Sequence, residues 1–138
     1  MDGRNVFGLA QSGPRSFEEA NDLAGILNRI TEKYSKRVDI LVARLEALDA
    51  AEVCLSAEVE SEINKEIEDW NAKIRKLGGI PKGLWGVDID AGDGYYCWKF
   101  PETEIKHWRG YQSGFNRRIP LSEKEKLMAS PEMRGRDI

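Results

Sequence analysis

One histidine and two cysteines in 138 residues leave little material for a transition-metal site, and a tetrahedral zinc set is not expected. The cysteines, Cys54 and Cys97, stand far apart, with no C-x-x-C spacing and no export-type leader before them. That usage points to a reducing compartment, and the cytoplasm is the expected location. No apolar run approaches the roughly 20 residues that a membrane-crossing helix needs, so membrane insertion is not expected. A basic excess is missing too: the net charge is -3 and the pI about 5.3. That argues against general nucleic-acid binding, where neutralising phosphates supplies most of the affinity. No nucleophile-elbow or oxyanion-loop pattern surrounds Ser113 or Ser122. No cofactor is expected, and the balance leans against an enzyme.

A chain of this length is expected to form one domain, able to bury a real core without a stapling device. The first fifteen residues, with Gly3, Gly8 and Gly13, read as an irregular lead-in. Ser16-Phe17-Glu18-Glu19 is a capping-box pattern, so a helix should begin there. From Ala24 the apolar positions repeat every seven residues. Ala24, Thr31, Val38 and Leu45 form one row, Leu27, Tyr34, Leu41 and Leu48 the other, and both lie on one face. Ile63, Ile67, Trp70, Ile74 and Leu77 keep the same spacing one residue out of phase, or about 100° of helix rotation. One straight helix cannot present both stripes to a flat partner. A continuous rod remains the alternative, but the pattern favours a hairpin turning at Cys54-Leu55-Ser56, with Ser56 as cap and Glu58 and Glu60 in the following turn. The second helix should end at Gly78-Gly79-Ile80-Pro81, after Lys73, Arg75 and Lys76.

Beyond that boundary the composition changes. Leu84 to Ile89 alternates large apolar with small or polar residues, Ala91-Gly92-Asp93-Gly94 has turn chemistry, and Tyr95 to Phe100 is aromatic and β-favouring, so a β-hairpin is predicted. Glu102 to Trp108 is open between a short helix and a third strand. The fold class predicted is α+β: a long antiparallel helical hairpin (16–77), then a small, aromatic-rich antiparallel β-module (83–121), then an irregular or short-helical tail (122–138).

Within 79–121 the residues Gly86-Val87-Asp88, Cys97-Trp98-Lys99, Glu102, Trp108, Gly114-Phe115 and Arg118-x-Pro120-Leu121 resemble the DUF2203 family, prokaryotic proteins without an assigned function. Phe17-Glu18-Glu19-Ala20-Asn21 is similar to the family's opening. Two departures stand out: Trp108-Arg109 replaces the family's usual Trp-His, with His107 one residue earlier, and Arg117-Arg118 replaces its usual Gly-Arg. The first departure removes the imidazole from the position after the tryptophan.

Trp98, Glu102, His107, Trp108 and Arg118 bring aromatic walls, a carboxylate, an imidazole and a guanidinium into one short module, the residue types that line small-molecule pockets. Arg118 would hold an anion, a tryptophan would stack, and His107 or Glu102 could move a proton. The plainer alternative makes the tryptophans the core of a small β-module and has Glu102 and Arg118 pair with each other or cap backbone groups. Asp88, Asp90 and Asp93 lack calcium-loop spacing, since Gly92, Asp93 and Lys99 occupy the fifth, sixth and twelfth places, so a plain turn is expected and no metal. Cys97 reads as a packed thiol, although His107 would be its candidate base.

Charge is uneven along the chain. Acidic residues dominate from Phe17 to Leu77, whereas Lys99, Lys106, Arg109, Arg117 and Arg118 outnumber Glu102 and Glu104 afterwards. That balance suits an acidic protein partner or a small anionic ligand, or else a solvated rim of salt bridges. Ile26, Ile30, Ile40 and Val42 widen the helical apolar face, which a homodimer through the helices would cover. The function expected is that of a non-enzymatic interaction or assembly protein self-associating through its helices; the alternative is a small-molecule or anion-binding module, conceivably an enzyme, using the Trp98/Glu102/His107/Trp108/Arg118 cluster.

Overall fold

The computed structural model describes residues 13–128. The elements run α1 (Phe17–Glu46), α2 (Val53–Lys76), β1 (Ile80–Lys82), β2 (Gly86–Asp90), β3 (Tyr95–Lys99), β4 (His107–Arg109), a 3-10 turn (Phe115–Arg117), β5 (Ile119–Pro120) and α3 (Leu121–Met128). Most of the glycine-rich lead-in, through residue 12, and the end of the tail, from residue 129, lie outside the described residues.

α1 begins at the capping box. The Glu19 backbone N–H donates to Ser16 Oγ at 3.1 Å, and the Ser16 N–H donates to Glu19 Oε1 at 2.9 Å. Two donors that a helix start leaves open are thereby satisfied. The Ser16 amide also holds the Glu19 carboxyl below the usual carboxylate range. Ala24, Leu27, Thr31, Tyr34, Val38 and Leu41 of the two heptad rows are all buried.

The hairpin turn falls earlier than Cys54-Leu55-Ser56. α1 closes at Ala47, and the reversal is locked by Asp49 and Glu52: Glu52 N–H donates to the Asp49 carbonyl at 2.9 Å while Glu52 Oε1 accepts from Asp49 N–H at 3.0 Å. Cys54, Leu55 and Ser56 already belong to α2, and Ser56 N–H donates to the Glu52 carbonyl at 3.0 Å instead of capping. A turn closed by two acidic side-chain and backbone bonds needs neither glycine nor proline, so the usual punctuation is missing. The helices run antiparallel: Trp70 Nε1 donates to Thr31 Oγ1 at 2.9 Å, and further along Arg37 Nη1 lies 3.5 Å from Glu66 Oε1.

Gly78 ends the second helix with φ +91, a left-handed closing conformation that glycine takes without strain. The sheet starts at Ile80 and not at Gly83, because Ile80-Pro81-Lys82 forms an edge strand, where a residue lacking its N–H is tolerated. The five strands form an antiparallel meander in the order β1-β2-β3-β4-β5. The segment from Glu102 resolves into a turn followed by β4, and the tail contributes α3.

Register divides the sheet into two faces. Val87 lies opposite Trp98, Ile89 opposite Tyr96, and Trp108 sits between Tyr96 and Ile119. With Ala20, Leu23, Leu27, Trp70 and Ile74 from the helices, this inner face makes one core. Polar bonds tie the layers together: Asn28 Nδ2 donates to the Pro101 carbonyl at 2.7 Å, and Ile105 N–H donates to Asn21 Oδ1 at 2.7 Å. Among the described residues no helix is long and apolar enough to cross a membrane.

Candidate functional site

Successive strand residues point to opposite faces of a sheet, and that alternation sorts the candidate residues. Trp98 and Trp108 face inward and are fully buried. Trp98 Nε1 donates to the Glu102 carbonyl at 2.8 Å, and Trp108 Nε1 donates to Asp93 Oδ1 at 3.2 Å. Both indoles are core, with their one polar atom satisfied. His107, one residue before Trp108, faces outward, and Glu102 and Arg118 belong with it.

Glu102 Oε1 accepts from the Lys99 N–H at 2.8 Å, and Oε2 stands 3.5 Å from His107 Nδ1. His107 Nδ1 is buried and makes no hydrogen bond at that distance. His107 then lines a cleft of about 530 Å³ with Lys99, Phe115, Asn116, Arg118 and Pro120. The Arg118 guanidinium sits 5.1 Å from the centre of the Phe115 ring, and among the described residues no carboxylate pairs with it. Glu102 does not reach it, being engaged by Lys99 and His107. Lys99 Nζ donates one bond, to the Leu84 carbonyl at 3.2 Å, and keeps two further donors.

The loop that carries Phe115 and Asn116 is fastened to the outer face at three points. Arg109 donates through Nη1 to the Ser113 carbonyl and through Nη2 to Asp88 Oδ2. Tyr111 donates its hydroxyl to Asp90 Oδ1 at 2.6 Å, which pushes the phenol up to about 12, and packs edge-on against Tyr95 at 5.1 Å. Phe115 seats on Gly86: a Cβ there would stand 3.0 Å from Phe115 Cζ and 2.7 Å from the Lys82 carbonyl oxygen. The cleft wall is therefore built on a loop held by a rigid scaffold, the usual arrangement for binding residues.

A family model described as "Uncharacterized conserved protein (DUF2203)" matches residues 16–121. The chain belongs to the DUF2203 family. The match runs from the Ser16 cap to Leu121, so hairpin, sheet and cleft all fall within the DUF2203 region. No curated protein and no solved structure matches the chain.

The remaining polar groups of this DUF2203 sheet are engaged separately. Asp88 pairs with Arg109, Asp90 accepts from Gly92 N–H and Tyr111, and Asp93 accepts from Trp108 and lies 3.0 Å from Lys124 Nζ. The three aspartates do not converge, and no group of three metal-ligating side chains occurs among the described residues. Cys97 lies between Asp88 and His107 in the cross-strand row. Burial, and then the Asp88 carboxylate beside it, push its thiol up to about 12, so it is a protonated, packed group at neutral pH. A larger depression of about 840 Å³ at the start of α1 is lined by Ser16, Glu18, Glu19 and Asp22, and two of those residues are already used in the capping box.

Lys99, Phe115, Asn116 and Pro120 stand outside the Trp98/Glu102/His107/Trp108/Arg118 cluster, although Lys99 belongs to the basic set of the module and Phe115 and Pro120 to the family resemblance. Lys99 was within reach of the sequence: in a strand Tyr95, Cys97 and Lys99 share one face, and antiparallel pairing sets Cys97 opposite His107. Phe115 and Asn116 carried no such signal, because a loop has no period.

Proposed function

We propose that this DUF2203 protein binds a small anion in the outer-face cleft lined by Lys99, His107 and Arg118. The observation that carries the reading is that three cationic or protonatable side chains line one cleft while Arg118 has no carboxylate partner among the described residues. Guanidinium and ammonium donors aimed at an anion form short, charge-assisted bonds, stronger than neutral ones. The cleft volume lies in the range typical of ligand sites. Two free thiols suit a reducing cytoplasm as the place where it works.

A thermal-shift panel of phosphate, sulfate and carboxylates tests it on wild type and Arg118→Ala. An anion at a hundred times its dissociation constant adds about 2.7 kcal/mol to stability, several degrees of Tm for a domain of this size. A shift that disappears in Arg118→Ala supports the reading. A shift unchanged in the variant, or none with any anion, rejects it.

A second reading, self-association through the helices, is favoured by Ile40 and Val53, whose side chains are 62% and 69% exposed on the hairpin. Ile40 lies on α1 and Val53 at the start of α2, and exposed apolar groups of this kind are surfaces that a second copy can cover. Sedimentation of wild type and Val53→Glu checks this. A dimer that the variant dissociates supports it, and a monomer across the accessible concentrations rejects it.

A further inference from the structure

We infer that the cleft takes a phosphomonoester carrying an aromatic or otherwise apolar group, an inference that rests on the anion-binding reading above. Lys99 and Arg118 bring two fixed positive charges to the lining, His107 adds a ring nitrogen, and no carboxylate is part of it. A single carboxylate is matched by one cation and would leave the other uncompensated. A phosphomonoester carries about 1.5 to 2 negative charges at neutral pH, which meets the two cations of the lining.

Size and shape supply the rest. At about 530 Å³ the cleft is much larger than a lone phosphate group, so a phosphate seated among the cations leaves space for the organic part of the molecule. That space is bounded by Phe115 and Pro120, the apolar members of the lining. The Phe115 ring is fixed before any ligand arrives. Its edge rests against Gly86, where no side chain intervenes, and the Arg118 guanidinium lies over it at 5.1 Å. A wall already in place spares the ligand the cost of ordering it. Glu102 lies behind the lining, its Oε2 3.5 Å from His107 Nδ1 and its Oε1 held by the Lys99 N–H.

Isothermal titration with three probes tests this on the full chain: phenyl phosphate, inorganic phosphate and benzoate. Phenyl phosphate is expected to bind at least about tenfold more tightly than either other probe, since one well-placed charged bond or one buried ring is worth 1.4 kcal/mol or more. Arg118→Ala is expected to weaken both phosphates by about tenfold or more, and Phe115→Ala to weaken phenyl phosphate more than it weakens inorganic phosphate. Backbone amide shifts in the wild type, moving at Lys99, His107 and Arg118 on addition of phenyl phosphate, locate the site without relying on a variant that folds. If benzoate binds as tightly as phenyl phosphate, the phosphate class is wrong and the anion site stands. If no probe binds, or if Arg118→Ala binds all three as wild type does, the anion site falls with it.

Discussion

Arg109 on β4 reaches across β3 to Asp88 on β2, and both side chains are buried, Asp88 fully and Arg109 to 6% exposure. The same guanidinium holds the Ser113 carbonyl and lies 4.7 Å over the Tyr95 ring. One cation thus neutralises a buried carboxylate, braces three strands and pins the loop that shapes the cleft. Asp88 Oδ1 has no hydrogen-bond partner, so its charge depends on Arg109 through the other oxygen.

Arg109→Met is therefore expected to cost about 3 to 5 kcal/mol in urea unfolding, the penalty for leaving a buried charge unpaired. The double variant Asp88→Asn/Arg109→Met should be more stable than Arg109→Met alone, because the charge that needed compensation is gone. A loss below about 1 kcal/mol in the single variant would show that Asp88 does not rely on Arg109.

Thr31 sits in a heptad row of apolar residues for a reason visible only across the helix pair: it accepts the buried Trp70 indole N–H at 2.9 Å. Thr31→Val keeps the shape and removes the acceptor, with an expected loss of about 1 to 3 kcal/mol for a stranded donor. Made in a Trp70→Phe background, which has no N–H, the same change should cost much less. Equal costs in the two backgrounds would show that the hydrogen bond carries no stability.

The two thiols should differ sharply. Cys54 is exposed and Cys97 buried, so a thiol reagent at neutral pH is expected to label Cys54 alone until the protein unfolds. Because the folded Cys97 thiol holds its proton up to about 12, against 9.0 for a free thiol, the native state binds more protons than the unfolded chain between those values. Its contribution to stability is complete below pH 9 and declines as pH rises toward 12. Cys97→Ala should flatten that part of the stability profile, and an unchanged alkaline slope would count against the burial argument.

Gly86→Ala puts a methyl group into the seat of Phe115 and against the Lys82 carbonyl. Overpacking of this kind is expected to cost about 1 to 3 kcal/mol, and the displaced ring should lower phenyl phosphate affinity as Phe115→Ala does. Calorimetric melting with titration of the same sample measures both. A variant with wild-type Tm and affinity would mean that Phe115 has another seat.

Local patterns made much of the fold legible in advance. The Ser16 capping box, the heptad rows of α1, the glycine that closes α2 and the β2–β3 turn at 91–94 each depend on neighbours a few residues away, and sequence spacing reports such neighbours directly. The hairpin turn lies before Cys54-Leu55-Ser56 because Asp49 and Glu52 close it with side-chain chemistry in an alanine-rich stretch whose spacing reads as helix.

The sequence by itself determined the residue types of the site and the fold class that carries them, since composition and period are written along the chain. Only the tertiary structure decided which of those residues meet. Strand register sent Trp98 and Trp108 into the core and turned His107 outward, and it brought Lys99 beside residues met only later in the chain. Loop closure over the sheet then placed Phe115 and Arg118 in the same cleft. Pairing between distant strands is set by the burial of a whole face, a cooperative choice that no single segment encodes.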